Sequence, residues 1–180
     1  MKRGLFALAL VLAVFSTACA ETAQQAKVRA LKAFQELGSR LKVRLTKAMQ
    51  QGGAAAAVGI CHQEAPLIAR EVAGDHGFQL GRSSHRVRNP DNTPAPEIAA
   101  YLQKYAALPA EQAPVQVLPQ KSGEWLILAP IATQALCLTC HGDPATFSPE
   151  LTRELRQRYP KDHATGFGPG QLRGVFWARL

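Results

Sequence analysis

Near the C-terminal end of the 180-residue chain, two cysteines are separated by two residues and followed at once by a histidine, in the run Cys137-Leu138-Thr139-Cys140-His141. Thiols with this spacing stand about one helical turn apart, so they can add to the two vinyl groups of one haem. The adjacent histidine is then held beneath the iron as an axial ligand. The run therefore predicts one covalently attached haem c, bound through Cys137 and Cys140 with His141 on the iron, and a fold that encloses an apolar pocket.

Two other uses of paired cysteines are a redox-active disulfide and one half of a zinc site. A zinc site needs a second pair of ligands, yet the sequence contains no second C-x-x-C and no H-x-x-x-H. A thioredoxin-like βαβ pattern is also missing around the motif. Covalent haem is therefore the favoured interpretation, and a zinc-organised interaction module is kept as an alternative.

The first 20 residues have the organisation of a secretory signal peptide. Met1-Lys2-Arg3 is a basic start, Leu5 to Phe15 is an apolar run, and Ala18-Cys19-Ala20 is a small-residue cleavage site. The apolar run is short for a membrane anchor. Lipoprotein processing at Cys19 is disfavoured because Ser16 stands three residues before it, where leucine is expected. We therefore predict cleavage after Ala20 and a periplasmic protein.

The remaining residues, 21–180, are enough for a single domain. Loss of Lys2 and Arg3 leaves 19 basic residues against 13 acidic ones, a net charge of +6. Basic runs that could follow a nucleic-acid backbone are absent, so the charge suits anionic cofactor groups or an acidic partner protein. The mature chain has no apolar segment predicted to span a membrane, and its three cysteines cannot form a complete disulfide framework.

The hydrophobic periodicity predicts an α+β domain with a small antiparallel sheet. Amphipathic helices are expected over Ala23 to Gln51 and, after the break at Gly52-Gly53, over Ala54 to Val72 with a kink at Pro66. The later elements are an extended segment over 78–89, a helix over 97–107, a hairpin of strands 115–118 and 124–129, a helix near 149–158 and a closing strand over 172–180.

The second axial ligand has several candidates: Cys61, His62, His76, His85, His163 and Met49. Cys61 falls on the apolar stripe of its helix with Val58 and Ile68, whereas His62 is rotated about 100° from that stripe. A haem pocket is apolar, so the stripe should face it. Cys61 is therefore favoured, with a buried thiol used only for packing as the alternative.

Several motifs together resemble the Tll0287-like haem domain family, over about residues 27–179. They are Ile60-Cys61 with Ala65-Pro66, Ser84 to Asn92, Cys137 to Pro144, Tyr159 to Gly166 and Leu172 to Phe176. The resemblance implies a PAS-like fold, in which an antiparallel sheet is flanked by helices, and one c-type haem with His141 and Cys61 as axial ligands. His85 and the absence of a Trp from 95–102 depart from the family pattern.

Arg82, Arg86 and Arg88 alternate along the extended segment and are therefore expected on one strand face. Guanidinium groups are suited to bidentate capture of carboxylates, so these residues are predicted to bind the haem propionates. A solvated basic face is the alternative.

The predicted function is that of an exported monohaem c-type cytochrome acting in electron transfer or in redox or small-ligand sensing, including a gaseous ligand. The chain has no room for an output module, so any signal must pass through a redox or signalling partner protein. The alternative is a haem enzyme that acts on peroxide or nitrogen oxides at a vacated axial site.

Overall fold

The computed structural model describes residues 21–180, and the predicted signal peptide, residues 1–20, lies outside the described residues. The helices are α1 (Ala23–Gly59), α2 (Ala65–His76), α3 (Pro96–Tyr105), α4 (Ala135–His141) and α5 (Pro149–Arg158), and a π-helical turn, Ile60–Glu64, joins the first two. The strands are β1 (Gln79–Ser83), β2 (Gln116–Pro119), β3 (Trp125–Ala132) and β4 (Leu172–Arg179).

The four strands form one antiparallel sheet in the order β1-β4-β3-β2. Trp177 of β4 pairs with Gly81 on one side and with Leu128 on the other. The register shifts between Ile131 and Ala132, where β3 approaches the α4 segment. This arrangement confirms the predicted α+β, PAS-like architecture of an antiparallel sheet flanked by helices.

The core is built on both faces of β3. Its residues Leu126, Ile127 and Leu128 are all fully buried, and successive side chains of a strand point to opposite faces. Ile127 packs in the cluster formed by α1, whereas Leu126 and Leu128 pack in the cluster formed by α3. Each such side chain contributes roughly 1.5–3 kcal/mol through burial, so the two clusters hold the helices on opposite faces of the sheet.

Helix α1 begins with a capping box, in which Thr22 and Gln25 satisfy each other's backbone N–H groups. The predicted break is confirmed at Gly52 and Gly53, and Gly53 has a φ of 68° that favours glycine. The predicted kink at Pro66 takes a different form. Pro66 lies in the first turn of α2 and the irregularity precedes it, as a π-helical turn.

The extended segment is shorter than predicted, because β1 ends at Ser83 and not near residue 89. The hydroxyl of Ser83 donates to the carbonyl of Asn92, and that of Ser84 donates to the carbonyl of Arg173. These bonds fix the chain in a path that leaves the sheet. Across residues 21–180, no helix combines the length and the apolar character needed to cross a membrane.

Candidate functional site

A cavity of about 220 Å³ lies between the second half of α1, the π-helical turn, the loop after β1 and α4. Its apolar lining includes Leu45, Met49 and Val58 from α1. Its polar lining includes three thiols, four arginines, one tyrosine and one histidine, together with two serines and two asparagines: Cys61, Cys137, Cys140, Arg82, Arg86, Arg88, Arg173, Tyr159, His141, Ser83, Ser84, Asn89 and Asn92. The cavity therefore brings together all seven predicted site residues.

The C-x-x-C-H motif forms most of the short helix α4. Cys137 and Cys140 are half-buried free thiols, and burial raises the pKa of Cys140 to about 11. Gly142 ends the helix, and its N–H donates to the carbonyl of Leu138 at 2.8 Å. A Cβ at this position would lie 2.6 Å from that same carbonyl oxygen, so the tight turn after His141 requires glycine.

The imidazole of His141 is oriented by the backbone of the segment that follows α5. Nδ1 lies 2.6 Å from the carbonyl oxygen of Ala164. A carbonyl can only accept, so Nδ1 carries the hydrogen and Nε2 keeps an in-plane lone pair for a metal. Burial, together with the charges of Arg173 and Arg88, holds the pKa of His141 well below its ordinary value, which keeps the ring neutral.

Arg173 packs against this imidazole. Its Nη2 lies 3.3 Å from Nδ1 and 3.2 Å from Nε2 of His141. An atom almost equidistant from both ring nitrogens cannot lie along the lone pair of either, so the guanidinium rests on the face of the ring. The ligand direction of Nε2 is therefore not blocked by Arg173.

Cys61 lies in the π-helical turn and lines the cavity, and burial raises the pKa of its thiol. The neighbouring His62 is exposed and packs edge-on against Tyr159, with ring centroids 5.2 Å apart. Met49 also lines the cavity. Of the other candidates, His76 bonds to Glu36 at 2.9 Å, and His163 and His85 do not line the cavity.

The three predicted arginines all line the cavity, although β1 ends before two of them and strand alternation does not explain their placement. Arg86 donates to the carbonyls of Thr165 and Gly166 and stacks over Phe167. Arg88 forms a buried ion pair with Asp162 at 2.9 Å. Among residues 21–180, Arg82 has no side-chain hydrogen-bond partner, so its guanidinium is available to a ligand.

Tyr159 and Arg173 line the cavity but were not singled out as site residues from the sequence. Burial raises the pKa of Tyr159 to about 12 and lowers that of Arg173 to about 10. Arg173 and Arg179 are the two cations of an otherwise apolar closing strand, and a cation in such a strand is a signal that could have been used. Tyr159 continues the four-residue spacing of Leu151 and Leu155 on α5, so helical periodicity could have marked it as part of the buried face.

The donor set fits the predicted haem better than a bare metal ion. Within the described part of the chain, no group of three or more His, Cys, Asp or Glu side chains is arranged to hold an ion. The cavity lining contains no Asp or Glu, and its four arginines suit an anionic cofactor. An apolar wall, paired thiols and one neutral histidine are the surroundings that an iron porphyrin requires.

A family model described as Tll0287-like matches residues 13–180. A solved structure entitled "Crystal structure of the cyanobacterial heme-protein Tll0287" has a similar fold, with a TM-score of 0.62 and 20% sequence identity. The similarity covers 85% of this chain and 92% of that one. No curated protein sequence matches the chain. Since the family model spans nearly all of the sequence, the chain belongs to the Tll0287-like family.

Proposed function

We propose that the protein is an exported c-type cytochrome with a single haem, acting in electron transfer or in redox or small-ligand sensing. One observation carries the proposal: the C-x-x-C-H motif and Cys61 line the same cavity, with Nε2 of His141 free for a metal. Membership of a family that includes a cyanobacterial haem-protein supports it.

In this proposal Cys137 and Cys140 form the thioether links, and His141 and Cys61 supply the axial ligands. Haem, once bound, supplies one-electron redox chemistry. The Ala164 carbonyl fixes the tautomer of His141, which is the role that an outer partner plays for metal-bound histidines. A Cys61 thiolate adds a negative charge that favours the oxidised state, so we expect a low reduction potential.

The propionates would be bound by the arginines that line the cavity. Arg82 is the first choice because its guanidinium has no side-chain partner among residues 21–180. Arg86 and Arg88 keep unused donors, Nη2 of Arg86 and Nη1 of Arg88, but most of their hydrogen bonds go to protein carbonyls and to Asp162. Arg173 completes the cationic lining. Four cations with no lining carboxylate favour a dianionic cofactor.

A non-enzymatic role is proposed because a second protein ligand opposite His141 leaves no open position for a substrate. A small ligand such as carbon monoxide or nitric oxide could still replace Cys61 in the reduced state, which is a simple route to sensing. Electron transfer or signalling would then involve a partner protein, and the net positive charge of the mature chain favours an acidic one. A periplasmic location follows from the proposed signal peptide, residues 1–20.

The test is intact-mass measurement and acid extraction of the protein made in cells that attach haem c. We expect a chain that starts at Glu21 and carries one haem that organic solvent does not remove. The variant Cys137→Ser/Cys140→Ser should lose all covalent haem. Extractable haem in the unaltered protein would contradict the proposal, and diacylglycerol on Cys19 would contradict cleavage after Ala20.

The axial ligand is tested separately by the ferric electron-spin spectrum and the reduction potential. Cys61→Ala should abolish the low-spin thiolate signal and raise the potential, whereas His62→Ala, on the exposed side of the same turn, should change neither. The opposite result would make His62 the ligand. A high-spin unaltered protein that consumes peroxide would instead favour the enzyme.

A further inference from the structure

Arg88, which lines the cavity, forms an ion pair with Asp162, which is not among the lining residues. The side chains of Arg88 and Asp162 are only 8% and 12% exposed. Nε and Nη2 of Arg88 each lie 2.9 Å from Oδ2 of Asp162, while Oδ1 of Asp162 accepts the N–H of Ala164 at 2.8 Å. The pair is therefore fixed to the residue whose carbonyl holds the His141 ring.

Arg88 also reaches the histidine segment directly. Its Nη2 donates to the carbonyl of Cys140 at 2.6 Å and to the carbonyl of Ala164 at 3.2 Å. The Ala164 oxygen thus accepts from Nδ1 of His141 and from Arg88 together. The Arg88 guanidinium therefore joins the end of α4 to residues 162–164. It contacts the backbone on both sides of the hydrogen bond between His141 Nδ1 and the Ala164 carbonyl.

We propose that Arg88 and Asp162 are a positioning pair that sets the orientation and basicity of His141 as a metal ligand. This inference rests on the proposed function of His141 as a haem ligand. A ligating histidine becomes a stronger donor when its Nδ1–H is strongly hydrogen-bonded. Arg88 competes for the same carbonyl and weakens that bond, so the guanidinium limits the basicity of His141. Asp162 balances the charge that Arg88 brings close to the cofactor.

The charges predict opposite effects when each partner is removed. Asp162→Asn keeps the shape and the Oδ1 acceptor but leaves the cation of Arg88 unbalanced, which favours the reduced state. Arg88→Gln removes the cation, leaves Asp162 unbalanced and frees the Ala164 carbonyl for His141, and both changes favour the oxidised state. A purely structural pair would instead lower stability in both variants without opposite electronic effects.

The experiment measures the reduction potential of the haem-loaded protein and of the variants Asp162→Asn, Arg88→Gln and their double variant. We expect an upward shift for Asp162→Asn, a downward shift for Arg88→Gln and a value near that of the unaltered protein for the double variant. Matched controls are Glu154→Gln and Arg158→Gln, which make the same charge changes in a part-exposed pair on α5. The controls should shift the potential much less.

Shifts of the same sign in the two single variants, or no shift beyond the controls, would overturn the proposal. If Arg88→Gln does not fold, the Asp162→Asn variant alone tests the proposal. Its reduction potential must then rise by more than that of the control Glu154→Gln. A second readout uses the haem-free chain Cys137→Ser/Cys140→Ser. There the ring nitrogen resonances of His141 should show the Nδ1–H tautomer, and Arg88→Gln should move the Nδ1 resonance as its hydrogen bond strengthens.

Failure of the proposed function is distinguishable from failure of the pair. If the unaltered protein carries no covalent haem, the proposed function is wrong. If haem is attached and His141 is a ligand, but the reduction potential does not change in the Asp162 and Arg88 variants, the proposed role of the ion pair is wrong.

Discussion

On one side of the cavity, Cys61 lies in a π-helical turn beside the packed helices α1 and α5. On the other side, His141 is held by hydrogen bonds to Ala164 and Phe167. The first region, the helical wall, rests on a cluster of Val58, Leu151, Leu155 and Tyr159. In the second, the loop wall, the N–H groups of Gly166 and Phe167 donate to the carbonyls of Gly142 and His141 at 2.7 and 2.9 Å.

The two walls differ in how directional their stabilising contacts are. Apolar contacts contribute by area and allow small rotations, whereas hydrogen bonds and ion pairs fix orientation. We therefore expect His141 to be the fixed ligand and Cys61 to be the one that can exchange. Of the four predictions below, two test the packing of the helical wall, one tests the contact between strands next to the cavity, and one tests the buried imidazole of His141.

The largest effect is expected in the helical wall. Leu155 is 5% exposed, and Leu155→Ala removes apolar contacts between α5 and Val58. We expect the free energy of unfolding to fall by about 3 kcal/mol in a denaturant titration. Leu67, which is 47% exposed, is the control, and Leu67→Ala should change it by less than about 0.5 kcal/mol. Equal effects of the two variants would show that the helical wall is not held by packing.

The contact between β4 and the end of β1, next to the cavity, should be sensitive to an added methyl group at Gly174. A Cβ at Gly174 would lie 2.2 Å from the carbonyl oxygen of Ser83, so Gly174→Ala must separate β4 from the end of β1. We expect a loss of about 2 kcal/mol in the free energy of unfolding. Gly59→Ala is the control, since a Cβ there meets nothing within 4 Å, and it should not destabilise the protein. A neutral Gly174→Ala would mean that β4 and the end of β1 can separate without loss of stability.

A smaller loss is expected at the start of α5. The hydroxyl of Ser148 accepts the N–H of Leu151 at 3.2 Å and caps the helix. Ser148→Ala should therefore lower the free energy of unfolding by about 1 kcal/mol, which is measured as a lower thermal midpoint. Ser39→Ala, at an exposed position inside α1, should not lower it, because alanine has the higher helix propensity. An unchanged thermal midpoint in Ser148→Ala would show that the capping of helix α5 does not contribute to the stability of the helical wall.

The fourth prediction is a loss of stability that is absent at neutral pH and appears as the pH falls. Burial lowers the pKa of His141 from its ordinary value near 6.5 in the folded chain, so the unfolded chain binds the proton more readily. In the haem-free variant Cys137→Ser/Cys140→Ser, the free energy of unfolding should fall as the pH drops below about 6.5. Burial also lowers the pKa of His85, which acts in the same direction, so His141→Gln should flatten the dependence without abolishing it. An identical dependence with and without His141 would contradict a neutral, buried imidazole.

Elements with local signals were predicted well. Helix α5 begins at Pro149 and ends at Arg158, as expected, because Ser148 caps it and proline suits its first turn. The hairpin of β2 and β3 also agrees, since turn residues separate two apolar runs. The segment after Ser83 was predicted as strand because its composition is compatible with one. Hydroxyl bonds to carbonyls as far away as residue 173 end that strand, and no local pattern contains them.

The sequence by itself determined which reactive and charged groups the site can use. They are the cysteines and histidine of the C-x-x-C-H motif, Cys61 on its apolar stripe, and three arginines before Asn89. Periodicity and motif spacing are properties of neighbouring residues, so they can be recognised without a fold. Only the tertiary structure decided how the arginines are used. Arg88 meets Asp162 and Cys140 across 74 and 52 residues, and Arg173 meets His141 across 32. Such partners come together only when the sheet and helices pack, because the contacts depend on the path of the chain in space.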